Sequence, residues 1–248
     1  MEKAKKTEGK KPKKVSQKQI QYRCSLLPMI KIFKKIKEKG GYLIDQLNYL
    51  KQTPFEKFML VFFKEILSIP AFTKSSTTLD DIIETFSIND EAFKVGNIFL
   101  KIKPEDIAII FSLPLSGVNI FPVPKMSLQI LPDNCKDFVL RNFGTIEHIT
   151  KDLTISKINN VLETQQFKHE NDFPKLLIIL AMITFFFPDN QRYLPWGYIP
   201  YILDQNKMNS VSWPVTIHHS LIRALTTFKT KPRNMPGCSM LPIVSTAI

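Results

Sequence analysis

The chain has 248 residues, 44% of them hydrophobic and 23% charged, the composition of a globular protein able to bury a core without metal or disulfide staples. Its net charge of +12 is uneven: residues 1–39 hold 14 Lys/Arg against 3 Asp/Glu, whereas residues 40–248 hold 20 against 19. The basicity therefore belongs to an N-terminal arm, and the nearly neutral body gives no support to a basic nucleic-acid-binding face.

In chain order, residues 1–39 read as a basic arm, largely disordered or partly helical, ahead of one helical domain over 40–248. The arm opens "MEKAKKTEGKKPKKVSQKQ", too poor in large apolar side chains to order itself. Lys10, Lys11, Lys13 and Lys14 form a dense cluster around Pro12. It reads either as a nuclear localisation signal or as a solvated tail making loose phosphate contacts. Nuclear residence is the expectation and cytoplasmic residence the alternative. No apolar stretch follows the lysines, which argues against a secretory leader.

In "QTPFEKFMLVFFKEIL", Thr53 and Glu56 have capping-box spacing with Pro54 at the first helical position. Phe55, Met59, Phe62, Phe63 and Ile66 then recur on one helix face. "TLDDIIETF" repeats the pattern with Ile82, Ile83 and Phe86 inward and Thr78 and Asp81 as a weaker cap. "FKVGNIFLKI" alternates on both sides of Gly96-Asn97, a two-residue hairpin signal. Pro104 starts a helix with Glu105 and Asp106 in its first turn, Asp106 serving as a capping carboxylate. Ile107, Ile110 and Phe111 face inward, Leu113-Pro114 stops the helix, and Gly117 permits a sharp turn.

Another helix covers "TISKINNVLE", with Ile155, Ile158 and Leu162 aligned. The apolar run from Phe173 to Pro188 is too short to span a bilayer of about 30 Å, so it reads as a buried core helix capped by Asp172. The last helix lies within "SWPVTIHHSLIRALTTF", with Ile217, Leu221, Leu225 and Phe228 on one face. The fold expected is mainly α: a compact multi-helix domain with a small β-hairpin behind the basic arm.

Catalytic signals are sparse. Seventeen prolines against eight glycines disfavour phosphate-cradling loops, and GxSxG, HExxH, Walker A and GxGxxG patterns are absent. Cys24, Cys135 and Cys238 are scattered and odd in number, which indicates reduced thiols rather than a disulfide framework or zinc site. His218 and His219 are adjacent on a helix, about 100° apart, and poorly placed to share an ion. Trp196 and Trp213 read as packing anchors.

Three segments carry a family resemblance. "IKPEDIAIIFSLPLSG" resembles the "T-x-x-D-V-x-x-x-x-G-L-P-x-x-G" signature of the plant mobile domain, a transposon-related family also labelled aminotransferase-like and related to the domain preceding Ulp1-type proteases. Asp106, Leu113, Pro114 and Gly117 fit, whereas Lys103 replaces the usual Thr and Ser112 the usual Gly. "YIPYILDQNKMNSVSWPVTIHHSLIRAL" is similar to its tryptophan block, with Trp213 matched and Pro214 in place of a glycine. "MPGCSMLPI", with Gly237 and Cys238, is similar to its "GC-x-x-L-L" segment. The resemblance spans roughly residues 45–245 and implies a copy truncated at its C-terminus. It implies nuclear residence, a phosphatase-like protein partner, and roles in silencing repetitive DNA and in meristem maintenance. The scaffold lacks the α/β alternation and phosphate cup that transamination needs.

The function expected is a non-catalytic, nuclear protein-interaction domain of transposon-related origin, with no cofactor, no metal and no membrane insertion. Nucleic acid would be touched through the basic arm. The alternatives are a transposon-encoded DNA-associated factor and a hidden hydrolase built on Cys135, His218 or His219.

Overall fold

The computed structural model describes residues 21–39, 48–64, 76–166, 169, 171–188, 192–230 and 234–239. The lysine cluster at 10–14 and Ile66 lie outside them.

The architecture is mainly helical, as expected, with small strand pairs at its margins. The centre is α7 (Asp172–Ala181), continued by one π turn (Met182–Phe186). Its sequence "DFPKLLIILAMITFF" has no polar stripe, and every residue from Leu176 to Phe187 is buried. A helix that is apolar all round must be surrounded by others. Here α1 (Leu27–Lys39), α6 (Lys151–Thr164) and α8 (Ile199–Leu203) pack on it. Next to them lie α2 (Glu56–Phe63) against α1, and α5 (Asp133–Phe143) against α6 and α8. The single cation in the apolar run, Lys175, is half-buried, with its ammonium 5.5 Å from the Tyr49 ring centroid. Burial pulls its pKa below the ordinary lysine value.

Helix α1 reaches into the arm defined by charge. Met29, Ile32, Phe33 and Ile36 form its buried face, while Lys31, Lys34, Lys35, Lys37 and Lys39 stay exposed. Its spacing is thus that of an ordinary amphipathic core helix. Upstream, β1 (Gln21–Tyr22) pairs in parallel with β7 (Asn234–Met235), joining the two ends of the described chain.

Helix α3 (Ser76–Glu84) leads into an antiparallel sheet ordered β2 (Phe86–Ser87), β3 (Ala92–Val95), β4 (Ile98–Leu100), with the hairpin turn at Gly96-Asn97 as expected. Helix α4 (Pro104–Phe111) follows and packs on α10 (Trp213–Thr230). The pair β5 (Ile149–Thr150) and β6 (Tyr193–Leu194), with α9 (Gln205–Ser210), completes the set.

Two expected caps differ. Helix α2 begins at Glu56 rather than at Pro54. The Thr53 hydroxyl accepts from the Phe55 N–H at 3.3 Å and donates to the Leu50 carbonyl, closing a turn instead of a capping box. Asp172 does not cap α7: the N-cap is Asn171, at φ 65°. The Asp172 carboxylate turns inward and accepts from Arg141 Nε (2.8 Å), Arg141 Nη2 (2.7 Å) and Asn142 Nδ2 (2.8 Å). A carboxylate 5% exposed needs that many donors to offset its desolvation. Breaking the pair strands a buried charge. Arg141→Met is expected to lower unfolding free energy by about 3 kcal/mol in urea titrations, and adding Asp172→Asn should restore part of that.

Candidate functional site

Two regions stand out: α4, the loop after it and α10, which hold Asp106, Leu113, Pro114, Gly117 and Trp213, and the hairpin ahead of α4. The first is structural. Asp106 Oδ2 accepts from the Lys103 N–H at 2.7 Å, the expected capping contact. Ser112 ends α4 in the left-handed region (φ 52°), and Leu113 returns to the core. The following loop is laced to the start of α10. Ser212 Oγ donates to the Leu115 carbonyl (2.6 Å), and the Val118 and Ser212 N–H groups donate to the Ser210 and Val118 carbonyls. Gly117 lies at this crossing with φ 117°, where an added Cβ would come within 2.5 Å of the Ser210 carbonyl oxygen. Pro114 and Gly117 are exposed.

Trp213 is fully buried, with Nε1 donating to the Met208 carbonyl at 3.0 Å, and its ring meets Phe55. Trp196 Nε1 donates to the Glu147 carbonyl. Both tryptophans are packing anchors. Gly237 (φ 76°) donates its N–H to the Pro188 carbonyl and lies close against Ala224 of α10, beside buried Cys238.

The two histidines diverge. His218 Nε2 donates to the Ile102 carbonyl at 2.8 Å, tying α10 to the residue run ahead of α4. Its Nδ1 is buried with no hydrogen-bond partner, so a second proton has no acceptor, and burial pulls the imidazole below its ordinary pKa of 6.5. His219 is exposed and meets the Asn119 side-chain amide at 2.8 Å. That amide also accepts from the Phe121 N–H and from Thr216. The two rings thus serve different contacts. Cys135 is buried, and desolvation pushes its thiol above its ordinary pKa, away from the thiolate a nucleophile needs. Among the described residues no group of three His, Cys, Asp or Glu is placed to hold a metal ion, and no helix is long and apolar enough to cross a membrane.

The second surface is chemical in a different sense. Among the described residues thirteen large hydrophobic side chains are exposed, and seven of these fall between Val95 and Val118. Four of them form the β3–β4 hairpin: Val95, Ile98, Phe99 and Leu100. Phe93, Val95, Ile98 and Leu100 share one face of the two strands. Phe93 anchors that face in the core at 2% exposure, but Ile98, at 64%, overhangs into solvent. β4 is an edge strand. In a two-residue hairpin the pairs Val95/Ile98 and Phe93/Leu100 exchange hydrogen bonds, so the Phe99 N–H and C=O point outward from the edge. Lys94, Lys101 and Lys103 are exposed along it. Asp90 and Glu91 lie just before β3, at the end of the sheet where Lys101 and Lys103 follow β4.

With this geometry in view, one comparison decides membership: the family described as "Domain of unknown function (DUF8566)" matches residues 56–242. The chain belongs to that family. No curated protein and no solved structure matches it. The finding corrects the expected kinship with the plant mobile domain. The residues that carried the resemblance perform generic tasks here: a helix cap, a helix stop, a tight turn and a buried tryptophan. Such devices occur in many helical folds, so their order alone does not fix a family. The phosphatase-like partner, the silencing role and the meristem role lose their basis with it. The core of this DUF8566 member also extends upstream of the matched residues, through α1 and β1.

Two outcomes test this surface. Gly117→Ala should cost at least about 2 kcal/mol, read from urea midpoints, because it combines a disfavoured φ with a clash against backbone. For His218 the unfolded chain gains a proton near pH 6.5 that the folded chain resists. Its contribution is therefore complete above that pH and declines as the pH falls below it, by at most about 1.4 kcal/mol per pH unit. His218→Gln should flatten that part of the stability–pH curve.

Proposed function

We propose that this DUF8566 domain is a non-catalytic protein-interaction module whose docking element is the β3–β4 hairpin. One observation carries the reading: an apolar hairpin face begins in the core at Phe93 and continues past it into solvent through Val95, Ile98 and Leu100. An edge strand with free outward backbone groups is a template for an added strand, and alternate side chains supply selectivity. Large apolar side chains gathered on one exposed element mark an interaction surface more often than scattered ones do.

The occupant is an extended segment of another protein, with apolar residues alternating with acidic ones. Lys94, Lys101 and Lys103 line the edge, so acidic residues complement it, and a second copy pairing there would oppose like charges. The raised Cys135 thiol and the separate engagements of His218 and His219 support the non-catalytic part of the reading.

Short random peptides displayed on phage and panned against the full chain should enrich this apolar–acidic pattern. The selected peptide should slow hydrogen exchange at the Phe99 and Lys101 amides and lose about tenfold or more in affinity with Ile98→Asp, whose circular dichroism should be unchanged. No enriched class, or binding indifferent to both Ile98→Asp and Phe99→Ser, would overturn the proposal. A dimer in sedimentation that Ile98→Asp abolishes would assign the edge to self-association instead.

A further inference from the structure

A cavity of about 570 Å³ is lined by none of the hairpin residues, so it is independent of the function proposed for them. We propose that it is a binding site for a small organic phosphate of nucleotide size. Four separate elements each bring a cation to its wall: Arg23 between β1 and α1, Lys31 on α1, Lys151 at the start of α6, and Arg192 before β6. One carboxylate accompanies them: Asp152, beside Lys151 at 3.8 Å with its side chain 88% exposed. Asp80 approaches from α3, but it accepts the Tyr22 hydroxyl. That contact, after burial itself, raises the Tyr22 pKa above its ordinary value.

Lys31 and Arg192 are exposed, whereas Arg23 is partly buried and held by its surroundings. Arg23 is fixed by its backbone: its N–H donates to the Met235 carbonyl at 3.2 Å, and the next-but-one N–H, of Ser25, donates to Thr184 at 2.7 Å. Arg23 Nε is buried and has no hydrogen-bond partner. The neighbouring charge that acts on this guanidinium is Arg192, of like sign. Arg192 in turn holds φ 62°, unusual for a side chain with a Cβ, and its carbonyl accepts from the Lys151 N–H. Arg23 and Arg192 line the same cavity and Arg23 has an unused buried donor, so a bound anion would offset like charge and take up that donor. Guanidinium forks match phosphate oxygens, and Lys31 and Lys151 add point charges.

The remaining lining sets the rest of the ligand. Leu27, Pro28, Ile155 and Ile183 add apolar surface between the cations, suited to a ring or hydrocarbon body. The size lies within the range of small-ligand sites. A phosphate on such a body would meet both the cations and the apolar side chains of the lining, whereas an inorganic ion would use only the cations.

The experiment is calorimetric titration of the full chain with AMP, ATP, inorganic phosphate and a short single-stranded DNA. Expected is saturable binding of AMP or ATP, tighter than that of inorganic phosphate. Lys151→Glu and Arg192→Glu should each weaken it about tenfold or more. Because the arm is itself polycationic, a chain with Lys10, Lys11, Lys13 and Lys14 all changed to Gln is titrated in parallel and should bind the nucleotide unchanged. Absence of nucleotide binding overturns the proposal, as does binding that survives both charge reversals or disappears with the arm substitutions. Binding of DNA alone would assign the charge to a polyanion surface and equally overturn it. Arg23→Gln, which keeps a side chain of similar length, serves if a charge reversal fails to fold.

Discussion

The structure depends on the burial of one helix from every side. α7 and its π turn offer no polar face, so the surrounding helices are arranged by the need to cover it. The π turn matters because its one extra residue places Phe185 and Phe186 both inward. Phe58 of α2 meets both rings at centroid distances of 5.5 and 4.7 Å, and also meets Phe62 and Phe111. Stacked, tilted and edge-on pairs of this kind add about 0.5–1.5 kcal/mol each beyond the area they bury. Through these rings α2, α4 and α7 share one cluster, which seats the hairpin ahead of α4. The same π turn presents backbone acceptors sideways. The Thr184 carbonyl takes the Ser25 N–H, and the Phe185 carbonyl faces the Cys24 thiol at 3.6 Å. One wall of the cationic cavity is thereby pinned to the most buried part of the chain.

Much of this was legible from spacing and punctuation. The hairpin at Gly96-Asn97, the Asp106 cap, the inward face of α10 and the buried run after Phe173 follow from local rules: a φ-permissive turn, a dipole-favoured carboxylate and the 3.6-residue period. What failed were statements that depend on a distant partner. Asp172 looks like a cap because it precedes an apolar helix. Only the arrival of Arg141 from α5 shows why it turns inward. Thr53 and Glu56 have box spacing, but the short helical turn at Tyr49–Gln52 recruits the Thr53 hydroxyl instead. Arithmetic on charge left α1 as no more than a partly helical piece of the arm, since lysines on an outer face say nothing of the Met29–Ile36 face behind them.

The two surfaces with functional promise differ in how visible they were. The hairpin could be read, but not its overhang, because alternation places Val95 and Ile98 on a buried face and only the extent of the core reveals that they pass beyond it. The cationic cavity had no sequence signal. Its residues lie at positions 23, 31, 151 and 192, and no periodicity links them. The motif resemblance erred for the complementary reason: its matches were local devices, a cap, a stop, a turn and a buried ring, that many helical folds can use.

The parallel pairing of β1 with β7 makes the described chain nearly circular, its first and last strands hydrogen-bonded side by side. The matched family boundaries open that circle. A fragment trimmed to 56–242 would discard β1 and α1 together, unseat the aromatic side chains of α2 from Phe33, and strand β7 without its neighbour. Such a piece carries the recognisable sequence but lacks one wall of its own interior. The autonomous unit of folding in this member is therefore longer than the segment by which its kinship is recognised.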